Sequence, residues 1–308
     1  MHVGDTLIVD TFAEAFRLRF ARLVVTALDD HWLSSAVASA CGYGTSVIGC
    51  DAETGVERLL SPGETPDGRP GAAVMLFAFS DESLARAAGN RVAQCLLPCP
   101  TTAVFDGLAG AADRFPVGGH VRFFGDGHEK TKIVAGRRYW RVPVMDGEFL
   151  VEETAGLGKG VGGGNFIIQG RTLEATLAAA RRAVAAIAAV PGTITPFPGG
   201  VVRSGSKVGS RYEGLRASTN DAFCPALAGR AAETALHEDA TCCVEIVIDG
   251  SDESAVAAAM AAGIRAAADR DIPAISAGNY GGKLGKFHFR LHDVLTAGGA
   301  GHPRASGG

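Results

Sequence analysis

Short apolar runs alternate with longer amphipathic segments along the first half of the chain. Such runs predict buried strands, and a Ser or Asp ahead of an apolar pattern of helical period predicts the start of a helix. The first half therefore predicts strands at 22–27, 45–50, 73–79, 120–124 and 137–144, with helices at 30–42, capped by Asp30, and at 80–97, capped by Ser80.

The second half repeats this order of elements. It predicts strands at 165–169, around 193–203, at 243–249 and at 287–291, with helices from Thr172 to before Pro191 and from Ser251 to residue 268. A short echo supports an internal repeat, because segments 74–83 and 245–254 align and both contain Ser-Asp-Glu-Ser. This alignment pairs Val74 with Glu245.

The repeated order predicts an α+β fold class. We expect two ferredoxin-like halves of the order β-α-β-β-α-β, each an antiparallel sheet flanked by helices. The predicted domains are an N-terminal lobe at 1–145 and a C-terminal lobe at 146–295. The Gly-rich segment 296–308 has no apolar pattern and is predicted to be a disordered tail.

Composition and charge narrow the class of protein. With 308 residues, 47% of them hydrophobic, the chain can bury a core in one large domain or two smaller ones. A net charge of −4 with scattered Lys and Arg argues against a nucleic-acid partner. No apolar run reaches the ~20 residues of a membrane span, and the first residues lack a signal-peptide pattern. We therefore expect a cytoplasmic protein with no membrane partner.

The cysteines and histidines do not suggest a metal site. Seven widely spread cysteines indicate reduced thiols rather than a disulfide framework. Neither they nor the eight histidines have the spacing of zinc ligands, so we expect no bound metal. The GxSxG motif of many Ser hydrolases is absent as well.

Two Gly-rich segments invite comparison with nucleotide-binding loops. Segment 156–164 is followed by a strand-like run rather than a helix, and segment 277–284 departs twice from the phosphate-binding consensus. Each segment is either a loop that contacts a ligand closely or a tight turn between strands. Lys207 and Lys283, which lie in Gly-rich sequence, are either solvated charges or anion contacts.

Glu245 is the most informative single residue. In the predicted strand, alternation places residues 244, 246 and 248 on one face and residues 243, 245 and 247 on the other. Both faces are apolar except at this glutamate. A buried carboxyl here would have a raised pKa and could carry a proton at neutral pH, whereas a carboxyl at an exposed rim would be unremarkable. The pattern alone leaves both interpretations open.

A series of short motifs in order extends this picture to nearly the whole chain. They are DTFAEAF (10–16), GTSVIGC (44–50), ETPDGRPG (64–71), FFGDG (123–127), GEFLVEE (147–153), GGNF (163–166), TPFPGG (195–200), SKVGS (206–210), STNDAFCP (218–225), VEIVIDG (244–250) and SAGNYGGKLG (276–285). Together they resemble the formylmethanofuran–tetrahydromethanopterin formyltransferase family. The match runs from about residue 10 to residue 294 and is looser at 21–32 and 226–240.

The resemblance implies a reaction and its coenzymes. A formyl group would pass between formylmethanofuran, or a methanofuran analogue, and N5 of tetrahydromethanopterin, by direct attack through a tetrahedral intermediate in a ternary complex. Both coenzymes would be substrates, with no cofactor bound to the protein itself. The resemblance also implies a homotetramer, and related bacterial proteins belong to a formyltransferase/hydrolase complex. The alternative is a non-catalytic, ferredoxin-like scaffold subunit of such a complex.

The resemblance also directs attention to particular residues. Carried onto VEIVIDG, it implies that Glu245 stabilises or protonates the intermediate. The Gly-rich segments 206–210 and 276–285 would border the coenzyme cleft. The residues expected to contact the substrates are Ser206, Lys207, Ser210, Asn220, Asn279 and Lys283.

Overall fold

The computed structural model describes residues 1–205, 207–230 and 233–297. The chain forms two compact units, which we name for their place along the sequence. The central unit consists of residues 18–160, and the terminal unit consists of residues 1–17 and the described residues from 161 onward. The predicted boundary at 145/146 follows the order of the sequence, whereas these units follow contacts, so the two-lobe division stays a prediction.

The described residues form a mixed α/β fold. Its helices are α1 Asp30–Gly42, α2 Asp81–Arg91, α3 Gly118–Val121, α4 Leu173–Ile187, α5 Glu253–Ala267 and α6 Leu291–Ala297. Its strands are β1 His2–Val3, β2 Thr6–Ile8, β3 Phe12–Thr26, β4 Glu53–Leu60, β5 Gly71–Ala78, β6 Ala103–Asp106, β7 Asp113–Pro116, β8 Lys130–Val134, β9 Arg137–Val144, β10 Gly147–Glu152, β11 Thr154–Gly170, β12 Thr193–Ile194, β13 Lys207–Val208, β14 Ala217–Ser218, β15 Cys242–Gly250, β16 Ala274–Ser276 and β17 Phe287–Arg290. None of these helices is long and apolar enough to span a membrane.

The central unit is built on a mixed sheet covered by helices. Strand β3 pairs with β5 and β6, β5 also pairs with β4, and the sheet continues through β10, β9 and β8. Val74 and Leu76 of β5 pack in one core with Leu33 of α1 and Leu84 of α2. This burial of one sheet face against two amphipathic helices is the main apolar contact of the unit.

The terminal unit follows a similar scheme. Strand β11 pairs with β15 on one side and with β16 on the other, and β16 pairs with β2. Val244, Ile246 and Ile248 of β15 pack in one core with residues of α4 and α5 such as Ala183 and Met260. The alternate positions of β15 therefore point away from these helices, as strand periodicity predicted.

Most predicted helices and strands are present, with shifted caps. The side chain of Asp29, not Asp30, caps α1, and that of Asp252, not Ser251, caps α5. Ser80 and Thr172 cap α2 and α4 as predicted. Helix α2 ends at Arg91 and is followed by a π-helical turn, and α6 extends two residues past the predicted start of the tail. Residues 298–308 lie outside the described residues.

The shifted cap also corrects the internal alignment. Val74 lies on the helix-facing side of β5, whereas Glu245 lies on the opposite face of β15, so the two positions are not equivalent. Aligning the caps Ser80 and Asp252 instead pairs Val74 with Ile246, which also faces helices. The predicted equivalence of Val74 and Glu245 is therefore wrong by one residue, which in a strand reverses the face.

Two predicted strands are wrong. Segment 45–50 is a turn, in which the amides of Gly49 and Cys50 donate to the carbonyl of Ser46. Segment 120–124 belongs to α3 and a 3₁₀ turn rather than a strand. Gly118 permits this local helix, because a Cβ there would lie 2.6 Å from the carbonyl oxygen of Glu152.

The Gly-rich segment 156–164 is a strand rather than a loop or turn. It lies within β11, where its glycines make room for side chains from neighbouring elements. A Cβ on Gly158 would lie 2.2 Å from the Phe20 ring, and one on Gly164 would lie 2.3 Å from the side chain of Val256. Close packing is the reason for glycine at both positions.

The prediction of purely antiparallel sheets is also wrong. Strand β10 pairs with β6 in parallel, and β16 pairs with β2 in parallel, while the other long pairings are antiparallel. The sheet is therefore mixed. The finer prediction, two ferredoxin-like halves, stays a prediction.

Candidate active site

Glu245 occupies the middle of β15, in the terminal unit. Its backbone exchanges two hydrogen bonds of 2.8 Å with Val202 and lies opposite Ile167 of β11. Strands on both sides thus fix its main chain. Its side chain points away from α4 and α5 and is only 6% exposed. The buried interpretation of this glutamate is confirmed, and the exposed-rim interpretation is wrong.

The Glu245 carboxyl lies between two glycine backbones. A methyl group built on Gly205 would lie 3.7 Å from its Oε2, and one built on Gly278 would lie 3.6 Å from its Oε1. Oε2 is buried and has no hydrogen-bond partner among the described residues. Because burial disfavours the charged form, the pKa of Glu245 rises to about 7. Near neutral pH this carboxyl can both donate and accept a proton.

A small cleft of about 20 Å³ lies beside this carboxyl. Its lining includes Gly205, Asn220, Cys243 and Glu245. Burial raises the pKa of the Cys243 thiol to about 12, and its Sγ donates to the carbonyl of Phe223. Cys243 is therefore a neutral thiol near pH 7, and Glu245 is the group here that can exchange protons.

The segment after Gly205 carries four of the predicted contact residues. Asn220 lines the cleft, and its backbone N–H donates to the carbonyl of Ser204. Ser206 lies outside the described residues. Lys207 forms a 2.9 Å ion pair with Asp221 and lowers the pKa of that carboxyl, chiefly by hydrogen bonding. Lys207 therefore contacts a carboxylate of the protein, and its contact with an anionic substrate group stays a prediction.

The remaining predicted contacts, Ser210, Asn279 and Lys283, are not among the residues that line this cleft. Ser210 accepts a hydrogen bond from the amide of Tyr212, in the turn between β13 and β14. Asn279 directly follows Gly278, and its side chain donates to Thr11 and to the carbonyl of Phe12. Lys283 is exposed. Of the six predicted contacts, the structure brings Asn220 to the cleft that Glu245 lines.

Two buried polar residues near this site were not singled out from the sequence. Asn165 of β11 is 7% exposed, and its amide group hydrogen-bonds both the N–H and the C=O of Gly278. Glu14 of β3 is 1% exposed, and its carboxylate accepts four backbone N–H groups from residues 280–285. Strand β3 also carries three arginines, and β11 also carries a lysine and a glutamine, so neither residue stands out from its strand as Glu245 does.

The Glu14 interaction also explains the resemblance of segment 277–284 to a phosphate-binding loop. Its backbone N–H groups converge as they do around a phosphate, but they bind an internal carboxylate.

Among the described residues, no group of three or more His, Cys, Asp or Glu side chains is arranged to hold a metal ion.

Comparisons with known proteins agree with the motif pattern. The family model described as formylmethanofuran-tetrahydromethanopterin formyltransferase matches residues 1–144, and the model for the proximal lobe of that family matches residues 147–294. A relative named formylmethanofuran–tetrahydromethanopterin formyltransferase from Methylobacillus flagellatus is 49% identical, covering 96% of this chain and 100% of the relative. One of the same name from Methanosarcina mazei is 48% identical, with the same coverage.

Two solved structures are similar over nearly the whole chain. The formyltransferase of this name from Methanosarcina barkeri is 47% identical with a TM-score of 0.90, covering 96% of this chain and 100% of that one. A chain of the formyltransferase/hydrolase complex from Methylorubrum extorquens, solved with methylofuran, is 47% identical with a TM-score of 0.89, covering 94% and 98%. The chain therefore belongs to the formylmethanofuran–tetrahydromethanopterin formyltransferase family and is a formyltransferase.

Proposed function

We propose that this protein transfers a formyl group between formylmethanofuran, or a methanofuran analogue, and N5 of tetrahydromethanopterin, with both coenzymes bound in one ternary complex. The observation that carries the proposal is the Glu245 carboxyl. It is buried, its Oε2 has no described partner, and its pKa is about 7. A group in this state can stabilise negative charge when neutral and accept a proton when ionised.

The proposed reaction needs no covalent enzyme intermediate. The N5 lone pair attacks the formyl carbon and forms a new C–N bond, while the carbonyl oxygen becomes an oxyanion. The oxyanion then collapses, the C–N bond to the furan amine breaks, and that amine takes up a proton as N5 loses one. The products are 5-formyltetrahydromethanopterin and free methanofuran, and the reverse transfer passes through the same intermediate.

Glu245 would serve this reaction in its neutral form first. A protonated carboxyl donates a hydrogen bond to the developing oxyanion. If it then gives its proton to the leaving amine, the carboxylate formed by that transfer accepts the N5 proton. The surrounding cleft of about 20 Å³ suits a group of formyl size. The bulk of both coenzymes would therefore lie outside it, held so that the reacting atoms are close and aligned.

The predicted contact residues remain proposals in this scheme. Asn220 borders the cleft and is the strongest of them. Ser206, Lys207, Ser210, Asn279 and Lys283 would contact the outer parts of the coenzymes. Lys207 is paired with Asp221, so an anionic coenzyme group would approach a partly neutralised cation rather than a free one.

The assembly and fold details belong to the same proposal. We expect two ferredoxin-like halves and a cytoplasmic protein that works as a homotetramer or within a larger formyltransferase/hydrolase complex. The similarity to a chain of such a complex from Methylorubrum extorquens supports the second arrangement. No bound cofactor or metal enters the proposed chemistry.

Kinetics of Glu245 variants test this function. With purified protein and both coenzymes, losing an oxyanion donor typically lowers kcat by about 100- to 1,000-fold, so Glu245→Ala should fall in that range. Glu245→Gln keeps shape and one donor, so its kcat should fall less than that of Glu245→Ala if hydrogen bonding is the role, and as much if proton transfer is.

Glu174→Gln, at an exposed position of α4, is the control and should behave as wild type. Near wild-type turnover of Glu245→Ala at saturating coenzymes would refute the role of Glu245, and no formyl transfer by the wild-type protein would refute the function.

A further inference from the structure

The segment that borders Glu245 is held in place by hydrogen bonds to two buried side chains from other parts of the chain. This segment, residues 277–285, follows β16 and contains Gly278, and we call it the 277–285 loop. One of its ends is held by Asn165. Oδ1 of Asn165 accepts from the Gly278 N–H at 2.6 Å, while Nδ2 donates to the Gly278 carbonyl at 3.1 Å. The N–H and the C=O of Gly278 are thus both hydrogen-bonded to the side chain of Asn165.

The other end of the loop is held by Glu14. Oε2 of Glu14 accepts from the N–H groups of Tyr280 and Gly282, and Oε1 accepts from those of Leu284 and Gly285, at 2.5 to 2.8 Å. Hydrogen bonds to an ionised acceptor are about twice as strong as neutral ones. The loop backbone therefore closes around one carboxylate.

The ionised state of Glu14 is part of this arrangement. Burial by itself would raise the pKa of the Glu14 carboxyl, but the four backbone hydrogen bonds outweigh it and the pKa lies below its ordinary value. Gly281 and Gly282 have φ of +70° and +72°, which lets the N–H groups of residues 280, 282, 284 and 285 turn toward the carboxylate. Their backbone and Glu14 thus fit each other.

This loop passes close to the Glu245 carboxyl at Gly278. A methyl group on Gly278 would lie 3.3 Å from Oδ1 of Asn165 and 3.6 Å from Oε1 of Glu245. The Gly278 backbone therefore lies close to both side chains and beside Oε1 of the carboxyl. If it moved outward, water would reach Glu245 from that side.

We propose that Glu14 and Asn165 are positioning residues, which hold the Gly278 backbone against the Glu245 carboxyl and so keep that carboxyl desolvated. The importance of this positioning for catalysis rests on the proposed function of Glu245. The positioning itself, and its effect on the solvation of the carboxyl, do not depend on that function. Neither side chain touches the reacting atoms. Both act through the 277–285 loop, and their effect on Glu245 is measurable without any coenzyme.

The test is a titration of Glu245 in variants of the two positioning residues. In Glu14→Gln, the side-chain NH₂ faces two N–H donors, so about half of the contacts to the loop are lost. In Asn165→Ala, both contacts to Gly278 are lost. The infrared carbonyl stretch of the Glu245 acid, assigned by subtracting the same spectra of Glu245→Gln, reports its pKa. We expect the proton affinity of Glu245 to fall at least about tenfold in each variant, a shift of one pKa unit.

A matched control separates positioning from general destabilisation. Asp106 of the central unit is a buried carboxylate that also accepts two backbone N–H groups, from Leu108 and Gly156. Asp106→Asn should lower the melting temperature but leave the Glu245 titration unchanged. In the positioning variants, the part of the pH-rate profile that falls as pH rises through the Glu245 pKa should shift with the titration, while KM changes less than kcat.

The outcomes are distinguishable. If Glu14→Gln and Asn165→Ala only lower the melting temperature and leave the Glu245 pKa at its wild-type value, the proposal is wrong. If either fails to fold, Asn165→Ser, which keeps one hydroxyl for Gly278, should give a smaller shift in the same direction, and an unchanged pKa there refutes the proposal as well. If the pKa shifts but Glu245→Ala keeps full activity, positioning stands and the catalytic role of Glu245 fails.

Discussion

The two units handle buried carboxylates in different ways. In the central unit, three buried carboxylates pair with guanidinium groups, while a fourth, Glu53, accepts the backbone N–H of Val47. The pairs are Arg22–Glu57, Arg114–Asp106 and Arg137–Glu152. In the terminal unit, Glu14 is matched by backbone N–H groups, and Oε2 of Glu245 has no partner among the described residues.

This contrast separates structural from chemical carboxylates. A carboxylate held by an arginine or by four amides stays ionised and fixes a local arrangement. A buried carboxyl without such compensation becomes neutral near physiological pH and can exchange a proton. The placement of compensating groups, rather than burial itself, therefore marks Glu245 as the reactive carboxyl of the terminal unit.

The largest loss of stability is expected when a buried carboxylate of the central unit loses its arginine partner. Arg137→Met leaves Glu152, whose side chain is 5% exposed, without its main partner. Removing one partner of a fully buried pair costs about 3 to 5 kcal/mol of unfolding free energy, and we expect the lower end here because Arg137 is 33% exposed and Arg114 lies 3.8 Å from Glu152. Urea unfolding measures the loss.

An exposed pair in the same unit serves as the control for this prediction. Arg141 and Glu148 are 40% and 43% exposed, so Arg141→Met should change the unfolding free energy by less than about 1 kcal/mol. Equal losses in Arg137→Met and Arg141→Met would show that compensation of Glu152 contributes little, and the contrast between the units would fail.

A somewhat smaller and pH-dependent effect is expected at Glu245. Its folded pKa of about 7 lies above the ordinary 4.5, so the folded state binds the proton more tightly than the unfolded state. The free energy of unfolding therefore declines as pH rises from the ordinary pKa of 4.5 through the folded pKa. Glu245→Gln removes this titration and should gain about 2 to 3 kcal/mol relative to wild type between pH 5 and pH 8.

The comparison with Glu14 sharpens this prediction. The pKa of Glu14 is lowered, so its contribution to stability is present at neutral pH and is lost as pH falls through the folded value. Glu245 and Glu14 thus act on stability in opposite directions along the pH scale. A constant difference between Glu245→Gln and wild type from pH 5 to pH 8 would contradict the raised pKa.

The sequence predicted the local features well. Caps and apolar periodicity located α2, α4, β9 and β15, and strand alternation placed Glu245 on the face opposite Val244, Ile246 and Ile248. These features depend on neighbouring residues only. The one-residue error in pairing Val74 with Glu245 arose because a four-residue echo outweighed the position of the helix cap.

The features that the sequence did not predict depend on distant contacts. Glu14 and the loop that it holds are 266 or more residues apart, so no local pattern joins them. The glycines of 156–164 predicted either a ligand-contacting loop or a tight turn, but they are needed for packing against Phe20 and Val256 in a strand. Segment 120–124 has strand-like residues but forms α3 and a 3₁₀ turn, where Phe123 is 66% exposed.

The most direct test of the account is a titration of the Glu245 carboxyl in the wild-type protein. The infrared absorption of its protonated form, isolated by difference from Glu245→Gln, should disappear with a midpoint near pH 7, the pKa that burial gives this group. The pH dependence of formyl transfer should follow the same midpoint in the free enzyme. A midpoint near the ordinary value of about 4.5 would mean that Glu245 is a solvated carboxylate at neutral pH, and the proposed role in proton transfer would be wrong.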